Sequence, residues 1–250
     1  MVEWRLFNRS FELSMTTIGD NIKNVQERIA AACRRAGRGV DEVKLVAISK
    51  TFPAARIREA YDAGLREFGE NRVQEAAAKQ PELSGCDITW HLVGHLQTNK
   101  AKTARELFKW VHSVDSLRLA QKLHQSAPEA GARLRVLIEV NLGGEESKSG
   151  VNAGDVAKLA EEISRLDSLE LRGLMTIPPF LEDPEKIRPY FRQLRELARQ
   201  VEERKIPGVS MRELSMGMTH DFEVAIEEGA TLVRVGTGIF GAREGLKAKV

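Results

Sequence analysis

The stretch Lys44-Leu-Val-Ala-Ile-Ser-Lys50 is a short, mostly apolar run. A run of this length without polar alternation is typical of a β-strand that is buried on both faces, as the strands of parallel sheets are. Pro53 lies a few residues later and suits the first turn of a helix, which Gly64 then ends. The stretch therefore predicts a buried strand that is followed directly by a helix.

The residues before this strand predict an additional helix at the N-terminal end of the fold. Apolar residues recur at helical spacing from Ile18 to about Ala36, and this pattern opens shortly after Met15. The residues before Met15 lack the continuous apolar block of a signal peptide. We therefore expect residues 1–15 to be a poorly ordered N-terminal tail and residues 16–250 to form one domain.

Strand-like segments and helical candidates alternate along the rest of the chain. Further strands are predicted near Glu67–Gly69, Ile88–Val93, Trp110–Val114, Leu134–Asn141, Leu169–Met175, Glu213–Met216 and Leu232–Val235. The helices between them are predicted at about Glu70–Lys79, Asn99–Leu107, Ser116–Ser126, Ala153–Leu166, Pro184–Arg204 and Thr219–Glu228, with a last short helix after Gly238. About eight strands, each followed by a helix, predict an α/β fold of the (β/α)8 TIM-barrel type. A doubly wound open sheet remains the competing architecture.

Charge balance and cysteine content limit the partners and the cellular compartment that can be expected for this protein. The chain carries 38 Lys+Arg against 36 Asp+Glu, so neither nucleic acid nor an anionic membrane is indicated as its main partner. No apolar run of about 18 residues is present, and no membrane span is predicted. Cys33 and Cys86 have neither metal-ligand nor redox spacing, and free thiols are typical of a reducing compartment. We expect a cytoplasmic protein.

Lys50 is the first candidate functional residue, because active sites of such barrels lie at the C-terminal ends of the strands. A lysine that follows an apolar strand has its stem among packed side chains and its amine at the mouth of the barrel. Partial desolvation there favours the neutral, nucleophilic amine that Schiff-base chemistry requires. A solvated lysine at a strand exit is the alternative interpretation.

The last two strands carry a candidate phosphate site. Ser215 and Gly217 follow the seventh strand, and Gly236 and Thr237 follow the eighth. Small residues let backbone N–H groups approach an anion, the hydroxyl groups add donors, and loops seven and eight are common phosphate sites in barrels. The alternative is that these glycines only serve tight turns.

Arg234 lies within the apolar eighth strand, where a guanidinium is costly unless it is paired or faces a ligand. Directed into the mouth, it would face the ring of a pyridine cofactor and keep the ring nitrogen unprotonated, which weakens the cofactor as an electron sink. The alternative is an arginine paired with a neighbouring carboxylate.

Two further clusters are weaker candidates. His91 and His95 are four residues apart, but the first lies on a predicted strand and the second beyond it, so helical spacing does not apply and we expect no metal site. Glu145 and Glu146 form an acidic pair on a predicted loop, which is typical of solvated carboxylates.

Seven segments together resemble a known family, the single-domain pyridoxal 5′-phosphate (PLP) binding proteins of the YggS/PROSC type, called pyridoxal phosphate homeostasis proteins. The resemblance covers residues 18–243. Its motifs are Val46-Ala-Ile-Ser-Lys-Thr51, Phe68-Gly-Glu-Asn-Arg-Val-Gln-Glu75, Trp90-His-Leu-Val-Gly-His-Leu-Gln-Thr-Asn-Lys100, Glu145-Glu-Ser-Lys-Ser-Gly150, Arg172-Gly-Leu-Met-Thr176, Leu214-Ser-Met-Gly-Met218, and Val233-Arg-Val-Gly-Thr237 with Ile239-Phe-Gly-Ala-Arg243.

The resemblance implies a barrel similar to the N-terminal domain of alanine racemase, with PLP as a Schiff base on Lys50. It implies that Ser215, Gly217, Gly236 and Thr237 surround the phosphate, that Arg234 lies near the ring, and that Asn71 and Met175 line the pocket. Lys148 resembles a lysine implicated in cofactor handling. Thr219 stands where a serine is more usual, which keeps the hydroxyl group.

Two function classes follow from this resemblance. The first is a PLP reservoir, carrier or regulator, and the second is a PLP-dependent amino-acid racemase. A racemase needs a second base on the opposite face of the substrate's α-carbon, and Tyr61 and Tyr190 both fall in predicted helices. We therefore expect a non-enzymatic, monomeric protein of intracellular PLP homeostasis, with apo PLP-dependent enzymes as candidate recipients. A sugar-phosphate barrel enzyme that forms a substrate imine on Lys50 remains a third interpretation.

Overall fold

The computed structural model describes residues 16–128, 133–144 and 149–242. Within these residues, eight parallel strands form one closed barrel in which each strand pairs with the next along the chain. The strands are β1 (Lys44–Ile48), β2 (Glu67–Glu70), β3 (Thr89–Leu92), β4 (Trp110–Val114), β5 (Leu134–Glu139), β6 (Leu169–Met175), β7 (Glu213–Met218) and β8 (Leu232–Val235). The predicted order of strands and helices is confirmed.

The helices alternate with these strands. They are α1 (Ile18–Arg35), α2 (Ala54–Asp62), α3 (Val73–Lys79), α4 (Ala101–Leu107), α5 (Leu117–Gln125), α6 (Val156–Ile163), α7 (Arg188–Glu203), α8 (Phe222–Glu227) and α9 (Thr237–Phe240). Short 3₁₀ turns at Thr98–Lys100, Ala153–Asp155 and Pro184–Lys186 take the place of the predicted first turns of α4, α6 and α7.

Pairing between the first and last strands closes the barrel. Val46 lies beside Arg234, and Ala47 lies beside Val235, in a parallel register. An open sheet would leave β1 or β8 unpaired at an edge, so the doubly wound alternative is wrong. Because all strands run in parallel, their C-terminal ends, including the end of β1 next to Lys50, lie at the same mouth of the barrel.

The additional N-terminal helix is also confirmed. The Thr17 side chain accepts a hydrogen bond from the Asp20 N–H, and the Asp20 carboxylate accepts one from the Thr17 N–H, which forms a capping box at the start of α1. The buried face of α1 packs on α8 and α9, the helices that flank β8. The predicted tail of residues 1–15 lies outside the described residues.

Alternate residues of β1 enter two separate cores. Ala47 belongs to the large core between strands and helices. Val46 and Ile48 point to the opposite face, into a small buried cluster inside the barrel that also contains Val93, Trp110, Leu137, Met175 and Leu232. Among the described residues, no helix has the length and apolar character that crossing a membrane requires.

Candidate functional site

A cavity of about 510 Å³ opens at the C-terminal mouth of the barrel. Its wall comes from strand ends and the loops that follow them. It is formed by Ile48, Lys50, Asn71, Val93, Gly94, His95, Glu139, Val140, Asn141, Ser149, Ile177, Phe180, Met218, Thr219, His220, Arg234, Gly236 and Thr237. Five of the eight residues predicted for cofactor binding are thus brought together: Lys50, Asn71, Arg234, Gly236 and Thr237.

Lys50 reaches this cavity from a tight turn after β1. The next residue, Thr51, has a φ of 70°, a left-handed conformation that is unusual for a β-branched residue. The Thr51 N–H donates to the Glu75 carboxylate at 2.9 Å, and the Ser49 N–H donates to the Gly69 carbonyl at 3.0 Å. The backbone is therefore held on both sides of Lys50, which fixes where its side chain begins.

A buried ionic cluster supports the same turn, and we call Glu70, Glu75 and Lys79 the Lys79 brace. The Lys79 ammonium donates to the Ser49 carbonyl at 3.0 Å and to the Glu70 carboxylate at 2.8 Å, and it lies 3.5 Å from the Glu75 carboxylate. The Ser49 hydroxyl also donates to Glu70, at 2.7 Å. Burial raises the pKa of Glu70, although the Lys79 and Ser49 hydrogen bonds act against this.

Our sequence reasoning missed this brace, although a signal was present. Lys79 lies three residues after Ala76 and six after Val73, on the buried face of α3. A lysine in the apolar stripe of a short helix indicates a buried partner, because an unpaired buried ammonium is costly.

Arg234 is 4% exposed and lines the cavity from β8. Its guanidinium donates to the Ser215 hydroxyl at 2.6 Å and to the Thr176 carbonyl at 2.9 Å, and both of these partners are uncharged. Burial lowers the pKa of Arg234 to about 10, while Asp221 and Glu139 act in the opposite direction. At neutral pH Arg234 therefore remains a cation.

Thr219 and Thr237 contribute hydroxyl groups to the cavity wall. The Thr237 hydroxyl donates to the Thr219 hydroxyl at 3.3 Å, and the Gly238 N–H lies 3.4 Å from the same oxygen. Gly236 precedes the first turn of α9. Thr219, which follows the Leu214–Met218 motif, was missed as a site residue although it carries the hydroxyl group of that loop.

Three predicted cofactor-binding residues lie behind the cavity wall. The expectation that Ser215 and Gly217 follow the seventh strand is wrong, because β7 extends to Met218 and contains both. Ser215 and Met175 are fully buried, and Met175 belongs to the small cluster inside the barrel. Gly217 has a φ of 88°, and a Cβ there would lie 2.8 Å from the Phe222 Cα, so this glycine permits close packing of β7 against α8. Their contact with a cofactor stays a prediction. Their positions indicate that they support the cavity wall from behind.

Glu139 is a further cavity residue that our sequence reasoning missed. It is 7% exposed, and its Oε2 atom has no hydrogen-bond partner. Burial raises the pKa of Glu139 to about 7; the nearby Asp115 adds to this effect, and Arg234 opposes it. No pattern in the sequence distinguishes this glutamate, because it ends an apolar strand whose inward face is known only from the register.

We predict that Glu139→Gln stabilises the cofactor-free protein at alkaline pH. A carboxyl whose pKa is raised by folding weakens the fold as the pH rises from its ordinary value of 4.5 to about 7. At 1.36 kcal/mol per pKa unit, the free energy of unfolding is lowered by about 3 kcal/mol once the pH is above this range. Urea unfolding at pH 8 should show a gain of this order for the variant, and at pH 4.5 little gain. An equal gain at both pH values would contradict the assignment.

Of the remaining candidates, only His95 lines this cavity; the others lie apart from it or outside the described residues. Among the described residues, no group of three His, Cys, Asp or Glu side chains is arranged to hold a metal ion. His95 lines the cavity and lies 3.2 Å from Asp115, whereas His91 is buried inside the barrel. Tyr61 and Tyr190 lie on α2 and α7, as predicted. Glu145, Glu146 and Lys148 lie outside the described residues.

The comparisons with known proteins agree with this geometry. Residues 21–244 match the family model of the alanine racemase N-terminal domain. A relative from Aquifex aeolicus, named pyridoxal phosphate homeostasis protein, is 48% identical over 90% of this chain and 98% of its own length. The Escherichia coli K12 protein of the same name is 43% identical over 92% of this chain and 98% of its own length.

Solved structures show the same barrel. PipY from Synechococcus elongatus, solved with PLP bound, is 44% identical and superposes with a TM-score of 0.76 over 87% of this chain and all of PipY. Alanine racemase from Clostridium difficile is only 14% identical, with a TM-score of 0.67 over 91% of this chain and 58% of the racemase, and it shows the fold alone.

Fold and cavity together define a class of protein, the parallel α/β barrels with a lysine at the exit of the first strand and hydroxyl groups at the last two loops. The chain belongs to the alanine racemase N-terminal domain family and, within it, to the pyridoxal phosphate homeostasis proteins.

Proposed function

We propose that this protein binds PLP reversibly and serves intracellular PLP homeostasis as a cofactor reservoir, carrier or regulator. The observation that carries the proposal is the convergence of an amine, a guanidinium and two hydroxyl groups on one cavity, from Lys50, Arg234, Thr219 and Thr237. The names of the relatives and the PLP in the PipY structure support the same ligand.

The donor set of the cavity fits PLP group by group. Thr219, Thr237 and the backbone around Gly236 offer small donors to a phosphate group, and Arg234 offers a cation to the pyridine ring. Lys50 would condense with the aldehyde carbon, forming a carbon–nitrogen double bond and releasing one water molecule. A cation beside the ring nitrogen disfavours protonation of that nitrogen and so limits the cofactor's capacity as an electron sink.

The reservoir role is favoured over an amino-acid racemase. Neither tyrosine lies in the cavity wall, and the Arg234 cation disfavours carbanion chemistry. Glu139 is the observation that favours the second candidate, because a buried carboxyl with a pKa of about 7 in the same cavity is suited to proton transfer. A cytoplasmic location, a monomeric state and apo PLP-dependent enzymes as recipients belong to the same proposal, and the unpaired cysteines Cys33 and Cys86 agree with a reducing compartment.

Spectroscopy and transfer assays test the function. We expect the purified protein to take up PLP stoichiometrically, with a new visible absorption band, and to restore activity to an apo PLP-dependent enzyme when the two are mixed. Incubating the loaded protein with single enantiomers of amino acids, followed by chiral chromatography, tests the racemase candidate. Rapid racemisation would overturn the non-enzymatic role. Failure to take up PLP would overturn both candidates and favour the sugar-phosphate interpretation.

A further inference from the structure

A chain of hydrogen bonds crosses the inside of the barrel and ends at Arg234. The Glu67 carboxylate lies 2.7 Å from His91 Nε2, and His91 Nδ1 lies 2.9 Å from His112 Nε2. His112 Nδ1 lies 2.9 Å from the Ser215 hydroxyl, which accepts from Arg234 at 2.6 Å. Glu67 is the first residue of β2, so the chain begins at the end of the barrel opposite the cavity.

The members of this chain are buried except at its outer end. His91, His112 and Ser215 are fully buried, and the Glu67 side chain is 28% exposed. The His91 ring also stacks on Trp110, with the ring centres 5.7 Å apart. Since these side chains share the barrel interior with a buried apolar cluster, four consecutive polar side chains are costly there unless every hydrogen bond is made.

The partners allow one direction of donation. Burial lowers the pKa of both histidines, that of His112 well below its usual value, so both rings are neutral and each carries one proton. Burial alone would raise the pKa of Glu67, but the His91 hydrogen bond and the Lys44 and Arg135 charges outweigh it, so this side chain is a carboxylate that only accepts.

Each bond then fixes the next one. His91 must carry its proton on Nε2 to donate to Glu67, which leaves its Nδ1 as an acceptor for the His112 Nε2–H. His112 Nδ1 is in turn an acceptor for the Ser215 hydroxyl, whose oxygen is left to accept from Arg234. Donation therefore runs in one direction, from the guanidinium at the cavity to the carboxylate at the far end.

We propose that Glu67, His91 and His112 are positioning residues which, through Ser215, fix the orientation of the Arg234 guanidinium toward a ligand in the cavity. The second partner of Arg234 is the Thr176 carbonyl. The serine and this carbonyl together bind both terminal nitrogens of the guanidinium group. The inference rests on the proposed function only in taking PLP as the ligand. The direction of the hydrogen bonds is a property of the protein alone.

Removal of the Glu67 acceptor should abolish the preference for this direction of hydrogen-bond donation. Without a carboxylate, His91 gains nothing from a proton on Nε2, and the reversed arrangement, with protons on the Nδ1 atoms, becomes competitive. The Ser215 hydroxyl would then accept from both His112 and Arg234, which weakens its hold on the guanidinium. Because Glu67 lies at the opposite end of the barrel, it has no route to the ligand other than this chain or the general stability of the fold.

The test compares Glu67→Leu with Glu67→Gln. The glutamine variant loses the charge but keeps an oxygen that accepts from His91, so it is the matched control. In the cofactor-free protein, ¹⁵N NMR of the imidazole rings should show both histidines protonated on Nε2 in the wild type and in Glu67→Gln, and a mixture of tautomers in Glu67→Leu. PLP titrated into the same proteins should bind about tenfold more weakly to Glu67→Leu than to the other two.

The outcomes separate this inference from the proposed function. A wild-type His112 that is protonated on Nδ1, or a Glu67→Leu variant with unchanged tautomers and unchanged PLP affinity, would overturn the positioning role. Wild-type protein with the expected tautomers but no PLP uptake would overturn the proposed function and leave the hydrogen-bond direction standing. Glu67→Ala replaces the leucine variant if thermal melting shows that the latter does not fold.

Discussion

Lys50→Ala is expected to abolish the covalent capture of PLP. The residue follows β1 and, of the lysines among the described residues, is the one that lines the cavity. Removing the amine removes the nucleophile that the aldehyde requires, so no visible band should develop when PLP is added. Borohydride reduction should give a PLP-labelled peptide that contains Lys50 in the wild type and no such peptide in the variant, as read by mass spectrometry.

An exposed lysine outside the cavity is the control for this variant. Lys102→Ala removes an exposed amine from α4 and should leave the band and the labelled peptide unchanged. Residual phosphate-dependent binding of PLP to Lys50→Ala would be consistent with our assignment, because Thr219, Thr237 and Arg234 remain in place. A labelled peptide of equal yield from another lysine in the variant would contradict it.

Lys79→Met is expected to have the largest effect on stability. It leaves the fully buried Glu70 carboxylate without its ion-pair partner, and breaking one side of a buried pair costs about 3–5 kcal/mol. The loss should grow with pH, because burial already raises the pKa of Glu70 and the variant would raise it further. A carboxyl of this kind destabilises the fold increasingly as the pH rises through its folded-state pKa.

Urea unfolding at pH 5 and pH 8 measures this effect, and a double variant provides the control. Glu70→Gln combined with Lys79→Met removes both charges and keeps an acceptor for the Ser49 hydroxyl, so most of the loss at pH 8 should be recovered. A single variant as stable as the wild type at pH 8 would show that the Lys79 brace does not stabilise the turn at Lys50.

The order of the elements could be predicted because several strands are apolar runs and several helices end next to a glycine. Lys44–Ile48 and Trp110–Val114 needed no information from distant parts of the chain. Closure of the barrel was a weaker prediction, since an apolar run does not say which strand it pairs with. The pairing of β1 with β8 depends on the length and packing of every element between them.

The cavity could be predicted in part because the strand ends of a parallel barrel meet at one mouth. This rule, together with the family resemblance, selected Lys50, Arg234 and Thr237. It could not say which side chains at the ends of the last two strands face the cavity and which lie behind it. Ser215 is behind the wall because the alternation along β7 turns it toward the inside of the barrel, next to His112.

The environment of Glu139 and the identity of the Lys79 partners could not be predicted for a different physical reason, although Lys79 in the apolar stripe of α3 did indicate a buried partner. Whether a charged residue in an apolar segment is paired, and with which residue, depends on distances between elements that are far apart in the chain. Glu70 and Lys79 are on neighbouring elements, yet both also bond Ser49 after β1, Lys79 through the Ser49 carbonyl and Glu70 through the Ser49 hydroxyl. Such ionic contacts are visible only once the register of the barrel is known.

The pairing of β1 with β8 has a consequence for biosynthesis. Lys50 follows the first strand and Arg234 belongs to the last, so the two walls of the cavity leave the ribosome at opposite ends of translation. A nascent chain exposes Lys50 long before the segment that carries Gly236 and Thr237 has been synthesised. The cavity is therefore completed last, and under the proposed function PLP retention would report that the final strand has docked against the first.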